Sequence, residues 1–145
     1  MVSDMLQKAR AYEQEQGAAI SQEERPAFHV TPKVGWMNDP NGFSVYQGKY
    51  HLFYQSHPYS NAWGPMHWGH VVSEDLLHWE HLPSAIAPDT EYDKGGCFSG
   101  SAIERKDGKQ LLLYTGVKRQ KDDDGIERDI QTQCVAVGDG IDFVM

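Results

Sequence analysis

The chain has 145 residues, 39% hydrophobic and 23% charged, an ordinary globular composition that excludes a disordered tail or a fibrous repeat and fits one domain or part of one. Thirteen Lys and Arg against twenty-one Asp and Glu leave a formal charge of −8, which repels phosphate backbones and argues against a nucleic-acid partner. No stretch approaches the roughly 18–20 apolar residues that cross a bilayer, so no membrane partner is expected.

The run Met1 to Lys8 lacks the apolar stretch of a secretory leader. Asn38, Asn41 and Asn61 start no N-x-[ST] site, and Cys97 and Cys134 are the only cysteines. Together these features predict a cytoplasmic protein with free thiols. Residues 1–25 read as a helix and leader, with Met5, Leu6, Ala9 and Tyr12 at helical spacing, Ser3 as N-cap and Gly17 as stop. Residues 26–145 are short runs rich in Val, Tyr, Phe and Trp broken by Pro, Gly, Asn and Asp, the texture of antiparallel strands, so the chain is expected to be all-β after one N-terminal α-helix.

Self-comparison predicts how those strands group. Asn41 to Tyr54 lines up with Ser99 to Tyr114, each a strand, a Gly-Lys turn (Gly48-Lys49, Gly108-Lys109) and a second strand ending in Tyr. Further on, Gly69 to Trp79 matches Gln133 to Phe143. Two units of four strands at an offset of about 60 residues read as successive blades of a β-propeller. A leader and about two such blades fill the chain, so a ring is not expected to close within it. The open sheet edge is then a surface for self-association.

The densest segment is Gly35-Trp36-Met37-Asn38-Asp39-Pro40-Asn41-Gly42. Asp39-Pro40 and Asn41-Gly42 read as turn pairs ahead of the first strand. In a propeller the innermost strand of each blade borders the central channel, so Asp39 is placed either to attack a substrate there or only to cap its turn. His67-x-x-His70 and His78-x-x-His81 are not read as metal sites, since positions three apart on a strand face opposite sides. The acidic stretch Lys121 to Gly125 fails the calcium-loop pattern, because Gln120 and Gln131 stand at its first and twelfth positions. It reads as a solvated hairpin tip.

Five ordered motifs between residues 28 and 137 resemble glycoside hydrolase family 32, the β-fructosidases that include invertases, sucrose-6-phosphate hydrolases, inulinases and levanases. They are Trp36 to Gly42, Tyr50 to Gln55, Trp63 to His70, Ser73 to Trp79 and Gly96 to Ser101. The resemblance implies a five-bladed propeller, of which this chain covers about the first two blades. It also implies retaining hydrolysis of terminal β-D-fructofuranosides such as sucrose or sucrose 6-phosphate, with Asp39 as nucleophile, a small-molecule sugar as partner and no cofactor or metal. By similarity Trp36, Met37, Asn38, Gln55, Trp63, Phe98 and Ser99 bind the fructosyl unit. The family's Arg-Asp-Pro and Glu-Cys motifs are missing: Arg128-Asp129 is followed by Ile130, and no Glu precedes either cysteine. Glu74, Glu80 and Glu104 qualify as acid/base by residue type alone, so none is assigned. The chain alone is expected to be inactive, and a non-catalytic carbohydrate-binding propeller remnant is the alternative.

Overall fold

After residue 35 the β-rich texture resolves into two four-stranded antiparallel sheets, each in sequence order, in a computed structural model that describes residues 2–145. The first sheet contains β1 (Trp36–Tyr46), β2 (Lys49–His57), β3 (His67–Ser73) and β4 (Trp79–Ile86). The second contains β5 (Gly96–Glu104), β6 (Gln110–Lys121), β7 (Glu127–Gly138) and β8 (Phe143–Val144). The all-β reading with one leading helix holds. No helix among the described residues is long and apolar enough to cross a membrane.

Ser3 caps the helix α1 (Asp4–Gly17), its hydroxyl accepting the Leu6 N–H at 3.1 Å. The buried stripe is Leu6, Ala9, Glu13 and Gly17, while Met5 is exposed. Glu13 can lie inward because its carboxylate accepts the Ser84 hydroxyl at 2.6 Å and the Ser84 N–H at 3.2 Å. Burial nonetheless raises its pKa, with those bonds opposing. The helix stops at Gly17 as the sequence predicts, but not through a left-handed residue. The helix ends on right-handed Ala18 (φ −68°), and Gly17 is small because a Cβ there would sit 2.9 Å from Lys33 Cγ.

Strand pairing corrects two sequence expectations. Asp39-Pro40 and Asn41-Gly42 are not turns before the first strand; both lie inside β1, where the register slips between Asn38 and Pro40 and again between Asn41 and Ser44. The repeat also aligns differently. Asn38 pairs with Gln55 as Phe98 pairs with Thr115, so Asn41 corresponds to Ser101 rather than Ser99, and Asp39 is the counterpart of Ser99. Likewise Tyr54 pairs with Gly69 as Tyr114 pairs with Cys134, which makes His70, not Val71, the counterpart of Val135. The extra residues hide these equivalences from an ungapped comparison.

The core lies between the sheets, where Phe53, Trp68 and Ile86 of the first meet Leu112, Tyr114, Ala136 and Phe143 of the second. Arg10 of α1 straps the two together: its Nε donates to the Ser84 carbonyl at 2.9 Å, and its Nη atoms donate to Asp142 at 2.6 Å and the Ile141 carbonyl at 2.7 Å. The first strands of the two sheets, β1 and β5, stand side by side, and the site forms where both are irregular.

Candidate active site

Asp39 is the extra residue of a β-bulge. Asn38 faces Gln55 and Pro40 faces Tyr54, so Asp39 has no partner across the ladder and its exposed side chain is turned out of the pleat. Its carboxylate accepts no hydrogen bond from the described residues. The capping alternative therefore fails, because the carboxylate is left free for a ligand. The bulge is pinned from behind by Asn41, whose Nδ2 donates to the Asp39 carbonyl at 3.3 Å. Pro40 suits the position after the bulge, since this strand is paired on one side only and the ring removes a donor that would need a partner.

β5 repeats the device. Phe98 faces Thr115 and Gly100 faces Tyr114, which leaves Ser99 as the unpaired residue of a second bulge. Here the following residue is Gly100, and a Cβ there would lie 1.9 Å from the Leu113 carbonyl oxygen, so only glycine fits. The two bulges present Asp39 and Ser99 to one open cleft of about 280 Å³.

The first sheet also supplies Asn38, Gln55 and Trp63 to this cleft, and the second supplies Phe98, Thr115 and Gln131. Asn38 is oriented by Trp36, whose indole Nε1 donates to its Oδ1 at 2.7 Å. Gln55 is buried, and its Nε2 donates to the Cys97 carbonyl at 2.9 Å, joining β2 to the start of β5. Trp63 stands half exposed, edge to face with Phe98 at 6.2 Å. The Phe98 carbonyl in turn accepts the Trp68 indole N–H at 3.2 Å. Amides, a hydroxyl and aromatic faces around one free carboxylate form a surface suited to a sugar, with donors and acceptors for its hydroxyls and rings for its C–H face.

Of the residues named from the sequence, Asn38, Asp39, Gln55, Trp63, Phe98 and Ser99 meet in this cleft. Trp36 acts one step behind it through Asn38, and Met37 pairs with Ser56 on the adjoining ladder. Thr115 and Gln131 were missed. Thr115 was legible as the repeat counterpart of Gln55, but Gln131 enters through the pairing of β6 with β7 and carries no sequence signal. Glu74, Glu80 and Glu104 all lie outside the cleft: Glu74 meets Lys49 at 2.8 Å, Glu80 faces Val72 on the outer ladder, and Glu104 accepts the Gln47 N–H. The histidine pairs hold structural bonds. His67 Nδ1 meets the Pro65 carbonyl at 3.0 Å, His70 Nε2 meets His51 Nδ1 at 2.9 Å, and His81 Nε2 meets the Thr31 carbonyl at 2.8 Å. Residues 122–126 form the hairpin tip, closed by Asp122, which accepts the Ile126 N–H at 2.9 Å and the Arg128 Nε–H at 2.6 Å.

The family model described as the glycosyl hydrolases family 32 N-terminal domain matches residues 29–144. A sucrose-6-phosphate hydrolase of Zymomonas mobilis is 50% identical over 125 residues, covering 86% of this chain and 24% of the relative. Among solved structures, a Bombyx mori family 32 beta-fructofuranosidase superposes with a TM-score of 0.82 at 47% identity, covering 95% of this chain and 28% of that one. A mutant of the same silkworm enzyme, solved in complex with sucrose, superposes with a TM-score of 0.82 at 46% identity over the same shares. The chain thus spans about a quarter of the length of the relatives it matches.

Proposed function

As the chain belongs to glycosyl hydrolase family 32, we propose that it carries the nucleophile half of a retaining β-fructofuranosidase acting on sucrose or sucrose 6-phosphate. The observation that carries this reading is the free Asp39 carboxylate, turned by a bulge into a cleft of sugar-binding side chains. In the first step Asp39 attacks the anomeric carbon of the fructosyl unit, the bond to the leaving oxygen breaks, and that oxygen takes a proton from an acid. In the second, water gives a proton back to that group as its oxygen displaces Asp39, and configuration is retained. Such chemistry needs two carboxyl groups about 5–5.5 Å apart. Asp39 is the one carboxylate lining the cleft among the described residues, so the proton donor belongs to the remainder of a longer protein. Asn38, Gln55 and Ser99 hold fructose hydroxyls, Trp63 and Phe98 cover its apolar face, and Trp36 and Met37 support the subsite from behind.

The two sheets are, in this proposal, the first two blades of a five-bladed propeller. The exposed apolar residues Ile103, Leu113 and Val135 on the second sheet support it, since Leu113 and Val135 are the counterparts of Phe53 and His70, which the second sheet buries. Cytoplasmic residence is part of the proposal, supported by the free thiols of Cys97 and Cys134.

The test is glucose release from sucrose by two proteins, the chain itself and a chimera in which it replaces the matched quarter of the Zymomonas mobilis enzyme. The chimera is expected to release glucose and its Asp39→Ala variant to release none, while the chain alone is silent. A chimera that binds sucrose without turnover would instead establish a carbohydrate-binding remnant.

A further inference from the structure

The cleft is lopsided. Asn38, Asp39 and Gln55 sit at its first-sheet end, whereas Thr115 and Gln131 extend it outward over β6 and β7. Strands in a sheet are about 4.8 Å apart, so β7 lies roughly 10 Å from β5 and its Ser99, one sugar ring beyond the fructosyl position. Gln131 is exposed there, with no hydrogen-bond partner among the described residues. β6 and β7 also run past their neighbours. β5 stops pairing at Val117, but β6 and β7 continue through Lys118↔Ile130 and Arg119↔Asp129 to Lys121↔Glu127 as a two-stranded arm.

Side-chain alternation carries the cleft face up this arm. Thr115, Val117 and Arg119 on β6 share a face with Gln133, Gln131 and Asp129 on β7. Beyond Gln131 on this face come Asp129 on its own strand and, diagonally across on β6, Arg119 at about 7–8 Å. The one ion pair of Arg119 among the described residues is with Asp129, at 3.4 Å between half-exposed side chains, a weak contact of the exposed kind. Among the described residues no Lys, Arg or His lines the cleft itself, so a cation of this chain that meets an anionic substituent stands outside it.

We propose that the second sheet binds the leaving group, Gln131 hydrogen-bonding its hydroxyls and Arg119 receiving a phosphoryl substituent. The inference rests on the fructosidase reading of the Asp39 cleft. It makes the arm the element that distinguishes a phosphorylated leaving sugar from a neutral one.

The chain itself can be tested with glucose 6-phosphate and glucose as probes, followed by the ¹⁵N side-chain signals of Gln131 and Arg119. Glucose 6-phosphate is expected to move both signals. Arg119→Gln should weaken its binding about tenfold while leaving glucose unaffected. Shifts confined to the lysines away from the cleft, no shift at all, or an Arg119→Gln chain that binds glucose 6-phosphate as well as the parent would overturn the proposal. The chimera gives a kinetic readout as well. Gln131→Ala should raise KM for sucrose and sucrose 6-phosphate but not for methyl β-D-fructofuranoside, whose leaving group is too small to reach β7. Arg119→Gln should raise KM for sucrose 6-phosphate alone. Equal effects on all three substrates would sink the assignment, whereas an Asp39→Ala chimera that still turns over would sink the nucleophile reading and leave the sugar-phosphate titration standing.

Discussion

The two sheets use one backbone device for different ends. In each, the first strand carries a bulge whose unpaired residue faces the cleft, but the first sheet holds Asp39 followed by Pro40 and the second Ser99 followed by Gly100. A bulge frees a side chain from the pleat without breaking the sheet, and the residue placed there decides the chemistry. The sheets differ also in what covers them. Every residue of β3 is buried, whereas Leu113 and Val135, paired across β6 and β7, are 38% and 49% exposed. The first sheet is finished by its neighbour and the second is not.

Exchanging the residues at the bulges gives the largest contrast. In the active chimera, Asp39→Ala should lower kcat on the order of 10⁴-fold or more, because no covalent step remains. Ser99→Ala should cost only about tenfold, the loss of one hydroxyl contact. Both are read as glucose release at saturating sucrose. Comparable losses at the two positions would mean that the bulges share the chemistry rather than divide it.

The uncovered face gives the next contrast. Phe53 is fully buried, 6.1 Å edge to face from Phe143 and 4.1 Å from the His70 ring. Phe53→Ala should therefore cost about 3–5 kcal/mol in urea unfolding. Its counterpart Leu113 stands in solvent, and Leu113→Ala should cost under about 1 kcal/mol. If the leucine proved as costly, that face would be covered in solution. Light scattering would then show a second copy of the chain on it.

These equivalences also mark how far the sequence could be read. Eight strands in two groups were legible because the hairpin turns and aromatic strand ends recur, as with Tyr54 and Tyr114. The helix start is legible from Ser3 and half of its buried stripe from the spacing of Leu6 and Ala9, but Glu13 is not, since it is inward only through a bond to Ser84, 71 positions away. Asp39 stands out by its motif, yet local preference reads its strand as a turn. Asp-Pro and Asn-Gly are turn pairs by local preference, and only pairing with β2 makes them bulges. Gln131 could not be found at all, because its place depends on a register between strands.

Acid should separate the sheets further. All seven histidines lie at or before His81, so the second sheet has none, while the first buries His51, His67 and His70. Burial lowers the pKa of all three, and holds His67 at about 4 despite the Pro65 carbonyl that favours its protonated form. An unfolded histidine protonates near 6.5, so the unfolded chain binds protons that the folded chain refuses between there and about pH 4. Stability is therefore complete above about pH 6.5 and falls below it, by about 3 kcal/mol for His67 alone at pH 4. Urea midpoints at pH 7.5 and 4.5 should show this slope, and His67→Gln should flatten it. Hydrogen exchange at low pH should quicken in β3 before β7.

The smallest contrast lies at the hairpin tips. The first sheet turns on Gln47 and Gly48, both left-handed at φ 49° and 78°, a tight two-residue loop whose twist suits the strands but whose first position burdens any residue with a Cβ. In the second sheet the turn between β5 and β6 is longer, and its left-handed residue is Gly108 at φ 76°, so no strain is left to relieve there. Gln47→Asn should then stabilise the chain by roughly 0.5 kcal/mol, because asparagine tolerates this region through local hydrogen bonds. The gain is small because Gln47 Nε2 also donates to the Tyr46 hydroxyl at 3.0 Å, a contact the shorter side chain gives up. Gln47→Val keeps the strain, adds a branched Cβ and loses the same bond, so it should destabilise. A valine variant as stable as the parent in urea would mean that the turn is not held left-handed in solution.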